Sequence, residues 1–244
     1  MPHSHTIPWK RIAVEAVAIV ASILLAFAID AWWDERQERI EETEVLLGLK
    51  SEFSRYREEL AEGIEYNERS RLLTAELMAA IRRGAWDSET LSIDLALATV
   101  SDAKTHDFGG GVLDAMISAG RLEIISDHKL RAKLASWGQV YDEIRDDEVR
   151  NMVLAQDRVV PYMLRWHIPH SRAFDLCCTW ANWPVPTRSI EEDPGAVSRL
   201  LSDPEFEVLL DFKYIDVAHT ALEFETAIEA MNEILDAIDA SLAE

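Results

Sequence analysis

The sequence is poor in turn formers. Nine glycines and eight prolines stand among 244 residues, about 7% of the chain where roughly 12% is usual. So few breaks exclude a sandwich or barrel of many short strands and favour a few long helices. Cysteine is equally scarce. The two present are adjacent, Cys177 and Cys178, and the count leaves open whether they pair with each other, with another chain or not at all. Basic residues are outnumbered, 24 Lys+Arg against 45 Asp+Glu, for a net charge of −21. No basic stripe exists to displace phosphate counterions, which argues against nucleic-acid binding. The same deficit argues against adhesion of the soluble part to anionic lipid. A P-loop, a dinucleotide glycine fingerprint, a nucleophile elbow and an HExxH pair are all missing, and no cofactor is expected.

What the chain has in plenty is apolar residues, 48%, and they are unevenly placed. Residues 12–33, IAVEAVAIVASILLAFAIDAWW, would form a helix about 33 Å long, enough to cross a hydrocarbon layer of about 30 Å. Lys10 and Arg11 precede it, and Trp32 and Trp33 close it at the depth of an aromatic belt. Glu15 and Asp30 each fall about 11 Å from its midpoint, away from the costly centre. A single-pass anchor is the expectation. Ala26-Phe27-Ala28 keeps a cleaved signal peptide as an alternative, although the apolar run passes beyond that site. On a helical projection Glu15, Ser22, Ala26, Asp30 and Trp33 share one stripe with Ala18 at its edge. Ala18, Ser22 and Ala26 form a small-xxx-small ladder that would admit a second transmembrane helix. Two basic residues flank the segment on each side (Lys10 and Arg11; Arg36 and Arg39), so charge does not decide orientation. The short leader favours a cytoplasmic N-terminus and an extracytoplasmic tail.

The expected organisation is a leader over 1–11, a transmembrane helix over 12–33 and an acidic helical bundle over 34–244. From Asp34 to about Arg83 the spacing predicts one long helix, with Leu46, Leu49, Phe53, Tyr56 and Leu60 as its packing seam and Arg82-Arg83-Gly84 as its end. A short helix over about 88–100, a loop over 101–111 and a helix over 112–119 ending at Gly120 follow. Ser126 or Asp127 caps a helix running towards Arg165, which Pro161 should kink or divide. Residues 166–192, with Trp166, Trp180, Trp183, Pro169, Pro184 and Pro186, form a long irregular segment. Asp193-Pro194 and Asp203-Pro204 start two more helices. In the last of them Val217, Ala221, Phe224, Ile228, Met231, Leu235, Ile238 and Leu242 recur at 4-3 spacing, matching the first seam. The fold class is therefore all-α, an antiparallel helical bundle around these two helices with an irregular Trp/Pro-rich insertion.

Candidate sites are sparse. Gly109-Gly110-Gly111 before a helix could present backbone N–H groups to an anion, but without a following lysine it reads as a tight turn. His167, His170, Cys177 and Cys178 are the best metal-like group, though adjacent cysteines suit a tetrahedral ion poorly. No metal is expected there. Asp216-Val-Ala-His219 lacks the paired Glu-x-x-His of a di-iron bundle. The runs Asp142-Glu143 and Asp146-Asp147-Glu148 read as a solvated helix face.

The stretches RIAVEAVAIVASILLAFAIDAWWDERQER and HDFGGGVLDAMISAGRLEIISDHKLRAKLASW resemble a family of bacterial single-pass membrane proteins to which no activity is assigned. The resemblance spans roughly the first 150 residues. It implies anchorage in a bacterial inner membrane and carries over no catalytic residue; the segment Leu113 to Leu122 would pack a short helix into the bundle. The expected function is a non-catalytic interaction protein, an accessory subunit of a larger membrane assembly that meets other subunits or a second copy. A ligand-binding sensory bundle and an enzyme with its site in 166–192 are the alternatives.

Overall fold

A computed structural model describes residues 9–86, 92–168 and 188–243. Every regular element among them is helical. Helix α1, Trp9–Arg83, has 75 residues without a break and spans roughly 110 Å. It ends as expected, with Arg82 and Arg83 in the last turn and Gly84 at φ 63°. Helix α2 is Ile93–Val100, its start capped by the Ser92 side chain; the expected earlier start lies in 87–91, outside the described residues. Helix α3 is Val112–Ala119, closed by Gly120 in the left-handed conformation.

Helix α4, His128–Leu154, is capped by Asp127, whose carboxylate accepts from the amides of Lys129 and Leu130. At its far end five residues, Ala155–Val159, widen into a π-turn before α5, Val160–Arg165. Pro161 causes this. It has no amide to continue the ladder, and its ring would press on the carbonyl four residues back. The helix relieves the conflict by widening, with the Val160 amide reaching back to the Ala155 carbonyl, so it bulges and does not end. Helices α6, Pro194–Leu200, and α7, Pro204–Leu242, begin at the two Asp-Pro signals, with Asp193 and Asp203 as caps.

α1 and α7 run antiparallel, pinned by Lys50 to Asp239 near one end and by Arg71 to Tyr214 towards the other. α4 lies along α7, joined by Asn151 to Thr220 and by Lys133 to Glu233. The buried apolar residues form two clusters. One gathers Leu46 to Leu60 of α1, Leu130 to Ile144 of α4 and Phe224 to Ile238 of α7. The other gathers Leu73 and Leu77, α2, Val159, Tyr162 and Met163, with Phe206 and Leu210. Between them all three long helices change character at one level. The buried polar positions there are Asn67 and Ser70 of α1, Asp147, Glu148 and Asn151 of α4, and Lys213 and Thr220 of α7.

The seam of α7 differs from the expected one at Ala221, Ile228 and Leu242, which are only half-buried. Phe206, Leu210, Lys213, Val217, Thr220, Phe224, Ala227, Met231, Ile234, Leu235 and Ile238 are its buried residues. Val217, Phe224, Met231, Leu235 and Ile238 are thus buried as expected, while Thr220 and Ala227 take the places expected of Ala221 and Ile228. α7 is gripped from two sides, by α1 and α4, which turns its inner face towards a line between them.

Candidate functional site

The first candidate is the N-terminal part of α1. It is one helix long and apolar enough to cross a membrane, with a mean hydropathy of 1.8 over its most apolar window and none of that window buried. Val17, Ile19, Val20, Ile23, Leu24, Leu25, Phe27, Ile29, Trp32 and Trp33 are each 50–68% exposed. Trp32 and Trp33 meet edge to face at 6.5 Å. Ala18, Ser22 and Ala26 are exposed like every face around them. Ser22 donates its hydroxyl to the Ala18 carbonyl at 2.8 Å, so this polar group is satisfied inside the helix and adds little cost in hydrocarbon.

Sixty residues on, the triple glycine meets a ligand from its own chain. Glu52 of α1 accepts from the Val112 amide at 2.6 Å and the Leu113 amide at 3.3 Å, and from the Tyr56 hydroxyl at 2.7 Å. The N-terminus of α3 is thus an anion site filled by an internal carboxylate. The fit depends on Gly111, where an added Cβ would fall 2.0 Å from Glu52 Oε1. Arg121 with Glu41 and the Ser126 amide and hydroxyl with Glu42 fasten the rest of this segment to α1. Leu113 and Met116 enter the core beneath.

The second candidate is the polar layer. Lys213 is 1% exposed, and its ammonium donates to the Asp102 carbonyl at 2.8 Å. Burial drives its pKa down to about 8, against the pull of Asp102 and Asp216. The Tyr66 hydroxyl donates to the Asp102 carboxylate at 2.8 Å, and burial first, then that carboxylate, hold the phenol far above its usual range. Burial also raises the carboxyl of Asp216. Asn151 donates to Thr220 Oγ1 at 2.7 Å; its own Oδ1 and the Ser70 hydroxyl are buried without a hydrogen-bond partner.

Here the expected solvated face is corrected. Asp142, Glu143 and Asp146 are exposed, but Asp147 is 4% and Glu148 1% exposed. Asp147 pairs with Arg150 at 2.8 Å and with His219 Nδ1 at 2.5 Å. Glu148 meets both the amide and Nδ1 of His106. Asp147 is charge-paired with Arg150 and Glu148 accepts from the His106 amide, so each of the two has the partner without which burial is costly. His219 thus belongs to an α4–α7 contact. Lys213 and Thr220 escaped the sequence reading because they are polar at core positions. The signal was available: the 3-4 register of α1 continues from Leu60 through Gly63, Asn67, Ser70 and Thr74 to Leu77, all buried.

Of the metal-like group, His167 is exposed at the end of α5 with φ 55°; His170, Cys177 and Cys178 lie outside the described residues, as do Trp180 and Trp183. Among the described residues no group of three or more His, Cys, Asp or Glu side chains could hold a metal ion. In comparisons with known proteins, no family model matches the chain, and no curated protein or solved structure matches it.

Proposed function

We propose that this chain is a membrane-anchored, non-catalytic interaction protein, an accessory or stabilising subunit of a larger bacterial membrane assembly. One observation carries the reading: the bare apolar stretch Val17 to Trp33 and the core seam that starts at Leu46 belong to a single uninterrupted helix. An apolar rod with no protein cover is stable in hydrocarbon and unstable in water. Because the rod is continuous, whatever α1 meets in the bilayer is mechanically joined to the bundle. We place the protein in the inner membrane, its bundle on the extracytoplasmic side, with Ala18, Ser22 and Ala26 facing another subunit. Trp32 and Trp33 sit at the interface.

The test is extraction from native membranes in mild detergent, followed by mass spectrometry of what travels with the chain. Co-purification of a defined membrane protein, lost when Ala18 and Ala26 are replaced by leucine, is the expected result. A monomer travelling alone, or a mature chain lacking residues 1–28, refutes the reading. A second reading, a ligand-binding bundle that signals through a partner, has one observation in its favour. A cavity of about 370 Å³ opens between α5, α6 and the start of α7, lined by Tyr162, Trp166, Ile168 and Leu200 with Arg199 and Asp203 at its edge. Saturable thermal stabilisation by a small molecule, abolished by Leu200→Trp, would favour that reading.

A further inference from the structure

The outer face of the α4–α7 pair is apolar where a monomer has no use for it. On α7, Val208, Phe212, Ile215 and Leu222 are 51–62% exposed. With the exposed His219 they keep a 4-3-4-3 spacing, a second seam on the side of α7 away from the core. Val149 and Val153 of α4 are exposed as well, though they point to another side of that helix than Asp147 and Arg150, which meet α7. A row of large apolar side chains at helical spacing along one bundle helix, between polar flanks, marks an interaction surface, not scattered surface hydrophobics.

Charge selects the occupant. Between the same two helices lies a cleft of about 220 Å³ walled by Glu143, Asp146, Asp147, Arg150, His219 and Glu223. Arg150 and His219 are both engaged with Asp147, and His219 also faces Glu223, so the carboxylates of the cleft outnumber its cations and Glu143 and Asp146 are left without one. Asp211, next to Phe212 on α7, adds exposed negative charge beside the stripe. A second copy, itself at −21, would bring like charge against like. A bilayer is out of reach. Arg71 bonds Tyr214, which puts this stretch roughly 55 Å beyond Trp33 along α1.

We propose that the α4–α7 face receives an amphipathic helix of a partner protein. That helix would lay its apolar stripe over Phe212, Ile215 and Leu222 and direct a lysine or arginine into the acidic cleft. This deepens the interaction-protein reading and rests on it, naming the surface and the chemistry of the partner.

The experiment uses the full-length protein in maltoside micelles and two synthetic helical peptides. Both carry leucine at the a and d positions; one has lysine on its flanks and the other glutamate. The lysine peptide is expected to bind saturably, more weakly as salt rises. Binding should fall at least tenfold with Ile215→Glu and with the pair Glu143→Lys and Asp146→Lys. All three are exposed positions, and their replacement is expected to leave circular dichroism unchanged. The glutamate peptide is expected not to bind. Equal binding of both peptides, or indifference to these substitutions, overturns the proposal. A photo-crosslinker at Phe212 in native membranes should then capture a basic helical segment of another protein; capture of a second copy of this chain overturns it as well. The peptide measurement needs no bilayer, so its failure leaves anchoring untouched, whereas a cleaved chain that still binds the lysine peptide defeats anchoring alone.

Discussion

At the level of single side chains, the ammonium of Lys213 is where burial and charge are most opposed. Its pKa falls from 10.5 in the unfolded chain to about 8 in the fold, so the unfolded state holds the proton more tightly. Stability therefore rises with pH between about 8 and 10.5 and is depressed below that window. Tyr66 works the other way. Its pKa is raised by folding, and the stability it lends is present below pH 10 and lost as pH climbs beyond. Urea titrations should show stability increasing from pH 8 to 9.5. Lys213→Met should abolish that rise and leave the protein at pH 7 as stable as the parent or up to roughly 3 kcal/mol more so; loss of several kcal/mol on that replacement would show instead that the ammonium holds the layer together. Gly111 is a second residue-scale case. Gly111→Ala drives a methyl into the Glu52 carboxylate and should cost about 1–3 kcal/mol, the cost of unpairing the Val112 and Leu113 amides. Glu52→Gln should cost less, because an amide oxygen still accepts from them.

At the level of the element, α1 holds a residue that helix propensity alone would remove. Gly63 lies mid-helix, where glycine costs about 1 kcal/mol against alanine. An added Cβ there would stand 2.6 Å from Cε2 of Phe224 and 2.9 Å from Cε1 of His106. Gly63→Ala is therefore expected to lower the midpoint of thermal unfolding, and a rise would show that the two rings can yield. The π-turn before α5 makes a matching prediction. Pro161→Ala restores the missing amide and should allow Ala155 to Arg165 to return to regular α-helix, read as slower amide exchange across those residues. The helical elements themselves were legible in the sequence, since Asp127, Asp193-Pro194, Asp203-Pro204 and Gly120 act at the positions where caps and stops belong. Pro161 was legible only as a disturbance, because a proline does not say whether the chain will kink, end or widen; packing of Val159 and Tyr162 on both sides of it keeps the helix running.

For the molecule as a whole, the exposed apolar stretch and the bundle share one helix, α1. Removing residues 12–33 should release the remainder from the membrane as a folded, soluble chain, because its two apolar clusters draw on residues from Leu46 onwards. Sedimentation after alkaline carbonate washing checks both halves: the full chain stays with the pellet, and the shortened one moves to the supernatant with unchanged circular dichroism. If the full chain also moves, the rod is not in the bilayer.

Composition and local pattern were enough to decide that the chain is helical, where its long helices begin and end, and which stretch is apolar enough to span a membrane. Each of these depends on a residue and its near neighbours along one helix. Tertiary structure alone decided the rest. Asp147 and Glu148 look like solvent-facing acids until His219 and His106 arrive from other segments to pair with them. The triple glycine reads as a tight turn until Glu52 reaches over from α1 to the amides of Val112 and Leu113 just beyond it. Lys213 is an ordinary surface cation by type and becomes a core residue because α1 and α4 close on α7 from two sides. Pairing across helices sets burial, burial sets the energy of a charge, and neither is written in the local order of residues.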